Sequence, residues 1–331
     1  MNSEEWTTRH LVELSGGYWK ACALQAGVKL RAFTVLGDDA LSGADAARAM
    51  GVSERGGAML LNALAAMGLL VKREDRFANT PSSRRLLCED SEAYAGHILM
   101  HHHHLMGSWA RLPEAVAAGA PVRERSSHAD DQTRESFLMG MFNLASELAP
   151  RVVPLIDLSG RKRLLDLGGG PGTYAIHFCL HNPDLEAAVF DLPSTRPFAE
   201  KTIARFGLEG RIEFLPGDYL QDEIPGGFDA AWLSHILHAE GPEGCRKIIR
   251  KAANALNPGG LILIQEFVLD DTMDGPLHPA LFSLNMLVGT EAGQAYSEGQ
   301  IGAMLEAEGV RSVHRLPFES PTGTGIIAGT V

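Results

Sequence analysis

The sequence has few cysteines and little that would tie the chain to a membrane. Its 331 residues include four cysteines, at positions 22, 88, 179 and 245, and none has the paired spacing of a metal or redox motif. Scattered cysteines of this kind predict free thiols and a cytoplasmic protein. No apolar run is long enough to span a bilayer, and the first ten residues lack the apolar core of a signal peptide. We therefore expect no membrane partner.

Positive charge is also scarce. The chain carries 29 lysines and arginines against 41 acidic residues, a net charge of −12, and it has no long basic run. A surface that binds nucleic acid or anionic lipid needs clustered positive charge. The composition therefore argues against a nucleic-acid partner.

Near the middle of the chain, a short apolar run leads into a cluster of glycines. Residues 164–167 read as a buried strand, residues 168–172 as a glycine loop, and residues 174–181 as a helix. A second strand follows at 187–190 and ends at Asp191. Glycines let a ligand approach the backbone closely, a helix start offers free N–H groups, and an acid at a strand end can bind ribose hydroxyls. The order predicts a nucleoside site at the carboxyl edge of a parallel sheet.

The glycine spacing bears on which nucleoside binds. The dinucleotide pattern G-x-G-x-x-G fits Gly168 and Gly170, but position 173 is threonine. With Asp166 the run reads D-x-G-x-G-x-G, which resembles motif I of the methyltransferases that use S-adenosyl-L-methionine (SAM). The loop alone leaves three alternatives open: SAM, a nicotinamide dinucleotide, or a plain turn before a helix.

From residue 163 onward, predicted strands alternate with predicted helices, which favours an α/β fold with a parallel sheet. Further strands are expected at 212–215, 228–233 and 261–268, with a turn at 257–260 before the last of them. Residues 310–315 and 325–330 are expected to close the sheet as an antiparallel pair.

The N-terminal third of the chain lacks this alternation of strands and helices and is predicted to be mainly helical. Ser42 and Ser53 are placed to cap two short helices, and a charged turn after Val71 predicts a hairpin. Helix, turn, helix and hairpin together are typical of a winged helix. Such a module can read DNA, but its second helix carries little phosphate-binding charge. The alternative is a packing module whose apolar surface is buried against a second subunit.

Residues 90–150 are expected to be all-helical. His97, His101 and His104 recur at helical spacing within a run of histidines at 101–104, so one helix face presents imidazoles. Neighbouring histidines on a helix can share a metal ion, although only Glu92 lies near enough in sequence to add an acidic ligand. The alternative is a helix that flanks a pocket.

Four short motifs occur in order along the chain: LLDLGGGPG, VFDLP (Val189–Pro193), PGDYL and NPGG (Asn257–Gly260). In this order the chain resembles the small-molecule O-methyltransferase family, which includes plant caffeic acid methyltransferase and bacterial natural-product methyltransferases. The resemblance implies a Rossmann-like SAM-dependent methyltransferase domain preceded by a mainly helical winged-helix dimerisation domain. The implied boundaries are 1–90 for dimerisation, 91–155 for a helical linker that adds to the substrate pocket, and 156–331 for catalysis. It also implies a homodimer formed through the N-terminal domain.

The resemblance implies SAM as the cofactor and no metal. Gly168 and Gly170 would face its methionine part, Asp191 its ribose hydroxyls, and Asp218 and Tyr219 its adenine. The full set of implied cofactor residues is Asp166, Gly168, Gly170, Asp191, Leu192, Asp218, Tyr219 and Ser234.

The implied catalytic residues come from two further matches. The segment HILHAEG resembles the family motif LHDW and aligns His238 with the family's general base, although Ala239 and Glu240 replace the residues that follow it. A histidine suits that role because its pKa lies near neutrality. His235 is the alternative base on the same segment. Glu266, in LIQEFVL, matches the first of two acids that flank the base in plant members.

The second flanking acid is missing. In AGQAYSE, Ala295 stands at its position and Ser297 at that of the family's threonine. This departure leaves open transfer to sulfur, nitrogen or carbon, or another reaction with SAM bound. A winged-helix regulator that senses a metabolite is the alternative from another class. The leading hypothesis is that the enzyme transfers a methyl group from SAM to a hydroxyl of a small aromatic or polycyclic molecule. A flat, mainly apolar acceptor is then expected, in a pocket lined by Trp109, Phe137, Met141, Phe142, Phe282, Asn285 and Met286.

Overall fold

A computed structural model gives the fold and describes residues 5–125, 130–318, 320 and 322–331. The chain separates into two compact units, Met1–His104 and Leu105–Val331. Within the described ranges, no helix combines the length and apolar character needed to cross a membrane.

The first unit is mainly helical with a small sheet. Its helices are α1 (Thr8–Ser15), α2 (Tyr18–Lys29), α3 (Ala32–Leu36), α4 (Gly43–Met50), α5 (Glu54–Ala66), α6 (Pro81–Leu87) and the start of α7 (Gly96–Trp109). Its strands are β1 (Leu41–Ser42), β2 (Leu70–Arg73) and β3 (Arg76–Asn79), in the order β1-β3-β2.

The helix, turn, helix and hairpin predicted from the sequence are confirmed in this unit. Ser42 Oγ accepts a hydrogen bond from the third residue of α4 at 3.1 Å, and Ser53 Oγ accepts the equivalent bond in α5 at 3.2 Å. These bonds satisfy backbone N–H groups that a helix start leaves unpaired. Gly51 ends α4 with a φ of 69°. Leu61 and Leu64 of α5 are fully buried against Phe33 in the core of the unit.

The second unit alternates strands and helices. Its helices are the end of α7, α8 (Leu112–Ala118), α9 (Asp131–Val152), α10 (Thr173–His181), α11 (Arg196–Arg205), α12 (Pro242–Ala255), α13 (Leu277–Gly289) and α14 (Glu298–Ala307). Its strands are β4 (Arg163–Leu167), β5 (Glu186–Asp191), β6 (Ile212–Pro216), β7 (Phe228–Ser234), β8 (Leu256–Leu269), β9 (Tyr296–Ser297), β10 (Arg311–Arg315) and β11 (Thr324–Thr330).

The strands of this unit form one sheet in the order β10-β11-β8-β7-β4-β5-β6, with β9 beside β8. The strands from β8 to β6 in this order run parallel, and β11 and β10 are antiparallel additions, as the sequence predicted. Chain order reverses between β4 and β7, since β5 and β6 lie on one side of β4 and β8 lies beyond β7. Ligands of open parallel sheets bind at this kind of reversal, outside the carboxyl ends of the strands.

Both faces of the sheet are buried, as expected for parallel strands covered by helices. Leu164 belongs to the apolar cluster on one face and Leu165 to the cluster on the other. Trp232 of β7 is fully buried, with its ring 5.0 Å from the Tyr174 ring and 5.2 Å from the Phe178 ring of α10. Packing of α10 on the sheet thereby fixes the helix that follows the glycine loop.

Two sequence predictions are wrong in detail. The turn expected at 257–260 lies inside β8: Leu256 pairs with Phe228 and Leu261 with Ala230, so four residues bulge out between two paired positions. The strand resumes after the bulge because the apolar residues that follow pack within the sheet. The all-helical stretch expected at 90–150 is interrupted, since Gly119 ends α8 with a φ of 62° and residues 121–125 are not helical. Part of this stretch, residues 126–129, lies outside the described residues.

Candidate active site

The glycine loop joins β4 to α10 at the point where chain order reverses. Gly168, Gly170 and Gly172 have φ values of 67°, 54° and 75°, a conformation that favours glycine. A Cβ on Gly168 would lie 2.6 Å from the Cγ2 of Ile236, and a Cβ on Gly169 would lie 2.6 Å from the Cγ of Asp166. The loop therefore needs glycine both for its path and for its close packing.

Asp191 ends β5 and faces this loop. Its Oδ2 accepts a hydrogen bond from the Gly170 N–H at 2.7 Å, and its Oδ1 accepts from the Leu192 N–H at 2.7 Å and the Thr195 hydroxyl at 3.0 Å. Burial raises the pKa of Asp191, and these hydrogen bonds oppose that rise. The acid thus holds the glycine loop against the next strand while remaining partly exposed.

Asp166 is buried beneath the loop. Its Oδ2 accepts a hydrogen bond from the Ala175 N–H of α10 at 3.1 Å. Burial raises the pKa of Asp166 to about 7. Asp166 thereby connects the strand that carries it, β4, to the start of α10 beneath the loop. Direct contact of Asp166 with a cofactor stays a prediction.

The other predicted cofactor residues lie on neighbouring strand ends. Tyr219 reaches the loop, because a Cβ on Gly168 would be 3.5 Å from its Cε1. Burial raises the pKa of the Tyr219 phenol. Asp218 has a turn role as well, since its Oδ1 accepts from the Leu220 N–H at 2.7 Å. Ser234 ends β7, and its hydroxyl donates to the Gln265 side chain at 3.0 Å.

His238, which is partly exposed, and the buried Glu266 form a pair beside the loop. His238 lies in a single 3₁₀ turn (Leu237–Ala239) after β7, and Glu266 lies near the end of the adjacent β8. The His238 Nδ1 is 2.8 Å from the Glu266 Oε2, and the His238 backbone N–H donates to Oε1 at 3.2 Å. The carboxylate is 2 % exposed. Burial alone raises the pKa of Glu266, but the charge and hydrogen bonds of His238, together with the nearby His235, outweigh burial and hold that pKa well below its ordinary value.

Aromatic rings line one side of this pair. The Phe282 ring of α13 lies 4.8 Å from the His238 ring, edge to face, and 4.6 Å from the Phe267 ring of β8. His278 lies 4.8 Å from Phe267, and His235 lies 4.4 Å from it. Burial lowers the pKa of His278. The arrangement gives His238 an apolar wall of the size of an aromatic ring.

The predicted substrate residues divide into two groups. Trp109 and Asn285 are brought together, because the indole N–H donates to the amide oxygen at 3.1 Å. Phe282 adjoins His238, and Met286 is buried one turn further along α13. On α9, the Arg205 guanidinium of α11 lies 6.0 Å from the Phe142 ring, and a place for Phe142 in the pocket stays a prediction. For Phe137 and Met141, also on α9, a place in the pocket stays a prediction.

The position of the missing second acid is filled and buried. Ala295 is 1 % exposed, and its N–H donates to the Ser283 hydroxyl at 3.1 Å. Ser297 instead caps α14. A different charge pair closes this side: Arg125 donates to the Glu240 Oε1 at 2.6 Å and to the Ala239 carbonyl at 2.8 Å. Sequence reasoning missed Arg125, since 115 residues separate it from Glu240.

The histidine run of α7 does not assemble the ligand set that its spacing suggested. In the described parts of the chain, one group of three metal-ligating side chains occurs, and it consists of His235, His238 and Glu266. In the run itself, the His103 Nε2 lies 2.9 Å from the Lys29 ammonium, so a positive charge already adjoins it. Burial, with a smaller effect from Lys29, lowers the pKa of His103.

Comparison with known proteins decides the family. The sequence profile of the O-methyltransferase domain matches residues 113–311, and that of the O-methyltransferase dimerisation domain matches residues 12–89. The chain belongs to the O-methyltransferase family. The recognition made from its four motifs is thereby confirmed, as is the Rossmann-like fold class.

Individual relatives of this methyltransferase match between 84% and 100% of its length. One is 3-hydroxy-5-methyl-1-naphthoate 3-O-methyltransferase of Streptomyces sahachiroi, 34% identical over 325 residues, covering 96% of this chain and 94% of the relative. Another is the N,N-dimethyltransferase OxyT of Streptomyces rimosus, 31% identical over 294 residues, covering 84% of this chain and 83% of the relative. The solved structure of human N-acetylserotonin methyltransferase in complex with SAM is 26% identical in sequence and superimposes with a TM-score of 0.85. The match covers 100% of this chain and 99% of the human chain.

Proposed function

We propose that this methyltransferase moves a methyl group from SAM to a hydroxyl of a small aromatic or polycyclic metabolite, with His238 as general base. The observation that carries the proposal is the His238–Glu266 pair, 2.8 Å apart and adjacent to the glycine loop through Ile236. A winged-helix regulator gains no support, because both matched profiles are those of O-methyltransferases.

The cofactor is SAM, and the residues of the site fit it. The glycine loop leaves its backbone open to close approach, and Asp191 offers a carboxylate at the strand end where ribose hydroxyls bind in this fold. Tyr219 borders the loop from the next strand end. When bound, SAM supplies an electrophilic methyl group on a positively charged sulfur. We propose that Asp166, Leu192, Asp218 and Ser234 complete the binding site.

In the proposed mechanism, the protein positions the acceptor and takes its proton. With the Nδ1–H of His238 donated to Glu266, the Nε2 lone pair is free to accept the proton of the acceptor hydroxyl. The negative charge of Glu266 stabilises the imidazolium that forms, in the manner of a triad acid. Loss of the proton raises electron density on the oxygen that attacks the methyl group. Alignment of acceptor and methyl group contributes much of the remaining rate.

The walls of the site favour a flat acceptor. Phe282 and Phe267 present rings next to His238, and the Trp109–Asn285 hydrogen bond presents a polar group on a mainly apolar surface. The Streptomyces sahachiroi relative is named for a hydroxynaphthoate, a molecule of this kind. Ala295 stands at the position of the second acid, so only the carboxylate of Glu266 assists the base. A hydroxyl more acidic than that of a simple phenol needs less assistance and would suit this arrangement.

Transfer to nitrogen is the second candidate, because OxyT is named as an N,N-dimethyltransferase and is 31% identical. Both candidates are tested by incubating the enzyme with SAM and matched aromatic acceptors that carry hydroxyl, amino, thiol or hydrogen at one ring position. We expect methylated product, detected by mass spectrometry, from the hydroxyl compounds, above all those whose ring carries an electron-withdrawing group that makes the hydroxyl more acidic. Product from the amino compounds alone would replace the proposal with N-methylation.

We propose that the first unit is a winged-helix module that forms a homodimer. Helix α1 has no buried residue in the single chain, although it carries Leu11, Val12 and Leu14. Burial of these side chains against a second copy would remove their apolar area from water. The division at 90 and 155 and a cytoplasmic location stay proposals as well.

A further inference from the structure

A second histidine lies against the proposed catalytic pair and takes no part in the mechanism above. The Nδ1 of His235 is 3.5 Å from the Glu266 Oε2, the same oxygen that adjoins His238. This Nδ1 is buried and has no hydrogen-bond partner among the described residues. A buried nitrogen without a partner is costly, and a cation shared with the nearby carboxylate would satisfy it.

The backbone holds His235 in this position. Its φ is 55°, a conformation that is uncommon outside glycine and that asparagine, aspartate and histidine adopt more often than other residues. The His235 N–H donates to the Gln265 carbonyl at 2.8 Å, which anchors the residue to β8 next to Glu266. The ring is further held by Phe267, 4.4 Å away. The imidazole is therefore presented to the carboxylate by a fixed backbone and an aromatic neighbour.

Two imidazoles and a carboxylate are a common ligand set for zinc. One atom from each of His235, His238 and Glu266 lies within 4.8 Å of the others. Ligand atoms around a tetrahedral zinc ion, each about 2.0–2.2 Å from it, are roughly 3.3 Å apart. Shifts on the order of 1 Å would convert this cluster into a three-ligand site with a fourth position for water.

We propose that His235, His238 and Glu266 bind a divalent transition-metal ion, with Zn²⁺ as the best fit, and that the ion inhibits methyl transfer. The ion is not a cofactor of the reaction. Its inhibitory effect rests on the proposed role of His238, whereas its binding does not.

The inhibition follows from the two nitrogens of one imidazole. Binding of the metal to the His238 Nδ1 needs a lone pair there, so the proton shared with Glu266 leaves Nδ1. A neutral imidazole bound through Nδ1 carries its remaining proton on Nε2. That nitrogen then has no lone pair to take the acceptor proton. The ion is expected to lower kcat without occupying the acceptor pocket.

The test begins with binding alone. Metal-free wild type is titrated with Co²⁺, whose visible absorption reports tetrahedral coordination, and with Zn²⁺ by calorimetry. His235→Asn removes one ligand and keeps a residue that tolerates the positive φ. His181→Asn, at an exposed histidine, is the matched control. We expect one tetrahedral Co²⁺ per chain in wild type and control, and at least a 100-fold weaker affinity in His235→Asn.

The second arm measures turnover of the best acceptor from the panel above as Zn²⁺ is added. His235→Asn should keep turnover within a few-fold of wild type without metal, and its half-inhibiting Zn²⁺ concentration should rise by the same factor as its dissociation constant. Equal Co²⁺ affinity in His235→Asn and wild type would overturn the site and place the ion elsewhere, for example on the α7 histidines. Loss of binding in His235→Asn, with wild-type turnover unaffected by saturating Zn²⁺, would overturn the inhibition and count against His238 as the base.

Discussion

The carboxylate of Glu266 holds His238 by two bonds. One oxygen accepts from the His238 backbone N–H at 3.2 Å, and the other lies 2.8 Å from its ring Nδ1. The two contacts fix both the turn that carries the residue and the direction of its ring. The geometry therefore favours a single tautomer, with Nε2 left free for chemistry.

Replacing His238 tests the base directly. His238→Ala should lower kcat by about 10²–10⁴-fold, the usual contribution of a general base. Affinity for S-adenosylhomocysteine, measured by calorimetry, should stay within a few-fold, because the glycine loop and Asp191 are untouched. His235→Asn serves as the control on the same segment and should lose little activity in metal-free buffer. Turnover of His238→Ala within a few-fold of wild type would show that the enzyme works by positioning alone.

Glu266→Gln tests the partner of that base. The amide is close to the carboxylate in shape but carries no charge, so the imidazolium formed during reaction loses its stabilisation. We expect kcat to fall between about 10- and 1000-fold, with the larger value if the ring also changes tautomer. Thermal unfolding and S-adenosylhomocysteine binding should be recorded on the same sample. A variant that loses cofactor binding as well would point to collapse of the turn rather than loss of charge.

Asp191→Ala tests the proposed cofactor site. It removes the carboxylate expected to bind the ribose, and it also frees the Gly170 N–H from its 2.7 Å hydrogen bond. Each hydrogen bond to a charged group contributes about 1.5–3 kcal/mol, so affinity for S-adenosylhomocysteine should fall by about 100-fold or more. The control is Asp184→Ala. Asp184 precedes the first residue of β5, and 84% of its side chain is exposed. Equal calorimetric affinity in the two variants would remove Asp191 from the site.

Asp166 predicts a pH effect on stability. Its pKa is raised from 3.8 to about 7 by burial. Between these two values the folded chain keeps a proton that the unfolded chain has released, so this group lowers stability as pH rises and its full cost is present above pH 7. At about 1.4 kcal/mol per unit, the cost is on the order of 4 kcal/mol. Asp166→Asn should therefore gain stability relative to wild type as the pH is raised from 5 to 8, by several degrees in Tm without cofactor.

The comparison variant for this effect is Asp184→Asn on the surface, whose difference from wild type should not change over the same pH range. A constant difference for Asp166→Asn would mean that the buried acid is already ionised at pH 5.

The features of the candidate site that the sequence predicts best are those whose backbone conformation depends on residues adjacent in the chain. The glycine loop and Asp191 each depend on a few adjacent residues, and the ends of β4 and β5 bring them to one edge of the sheet. Positive φ values at positions 168, 170 and 172 favour glycine, so the glycine spacing in the sequence indicates the path of the loop.

The parts that sequence missed depend on how helices are rotated against the sheet. The contact of Phe142 on α9 with Arg205 on α11 is one that the sequence did not predict, and the place of Phe142 in the pocket stays a prediction. Phe267 and His278 come from different elements and meet at 4.8 Å only because α13 packs over β8. The Arg125–Glu240 pair likewise joins a loop to a distant turn. Periodicity identifies an apolar face, and it does not say which neighbour that face contacts.

The exposed apolar surface of α1, α2 and the residues before them predicts the oligomeric state. Exposure is between 53% and 69% for each of Trp6, Leu11, Val12, Leu14, Tyr18 and Trp19. Burying one such side chain contributes about 1.5–3 kcal/mol, so a second copy that covers several of them gains enough to form a stable dimer. The double variant Leu14→Glu/Trp19→Glu would place two charges in that interface. By light scattering at micromolar concentration, we expect wild type to be a dimer and the variant a folded monomer. Leu180→Glu, at a 51% exposed leucine of α10, is the control and should stay dimeric. If the double variant remained a dimer, the α1–α2 surface would not be the interface, and another face of the chain would have to supply the contact.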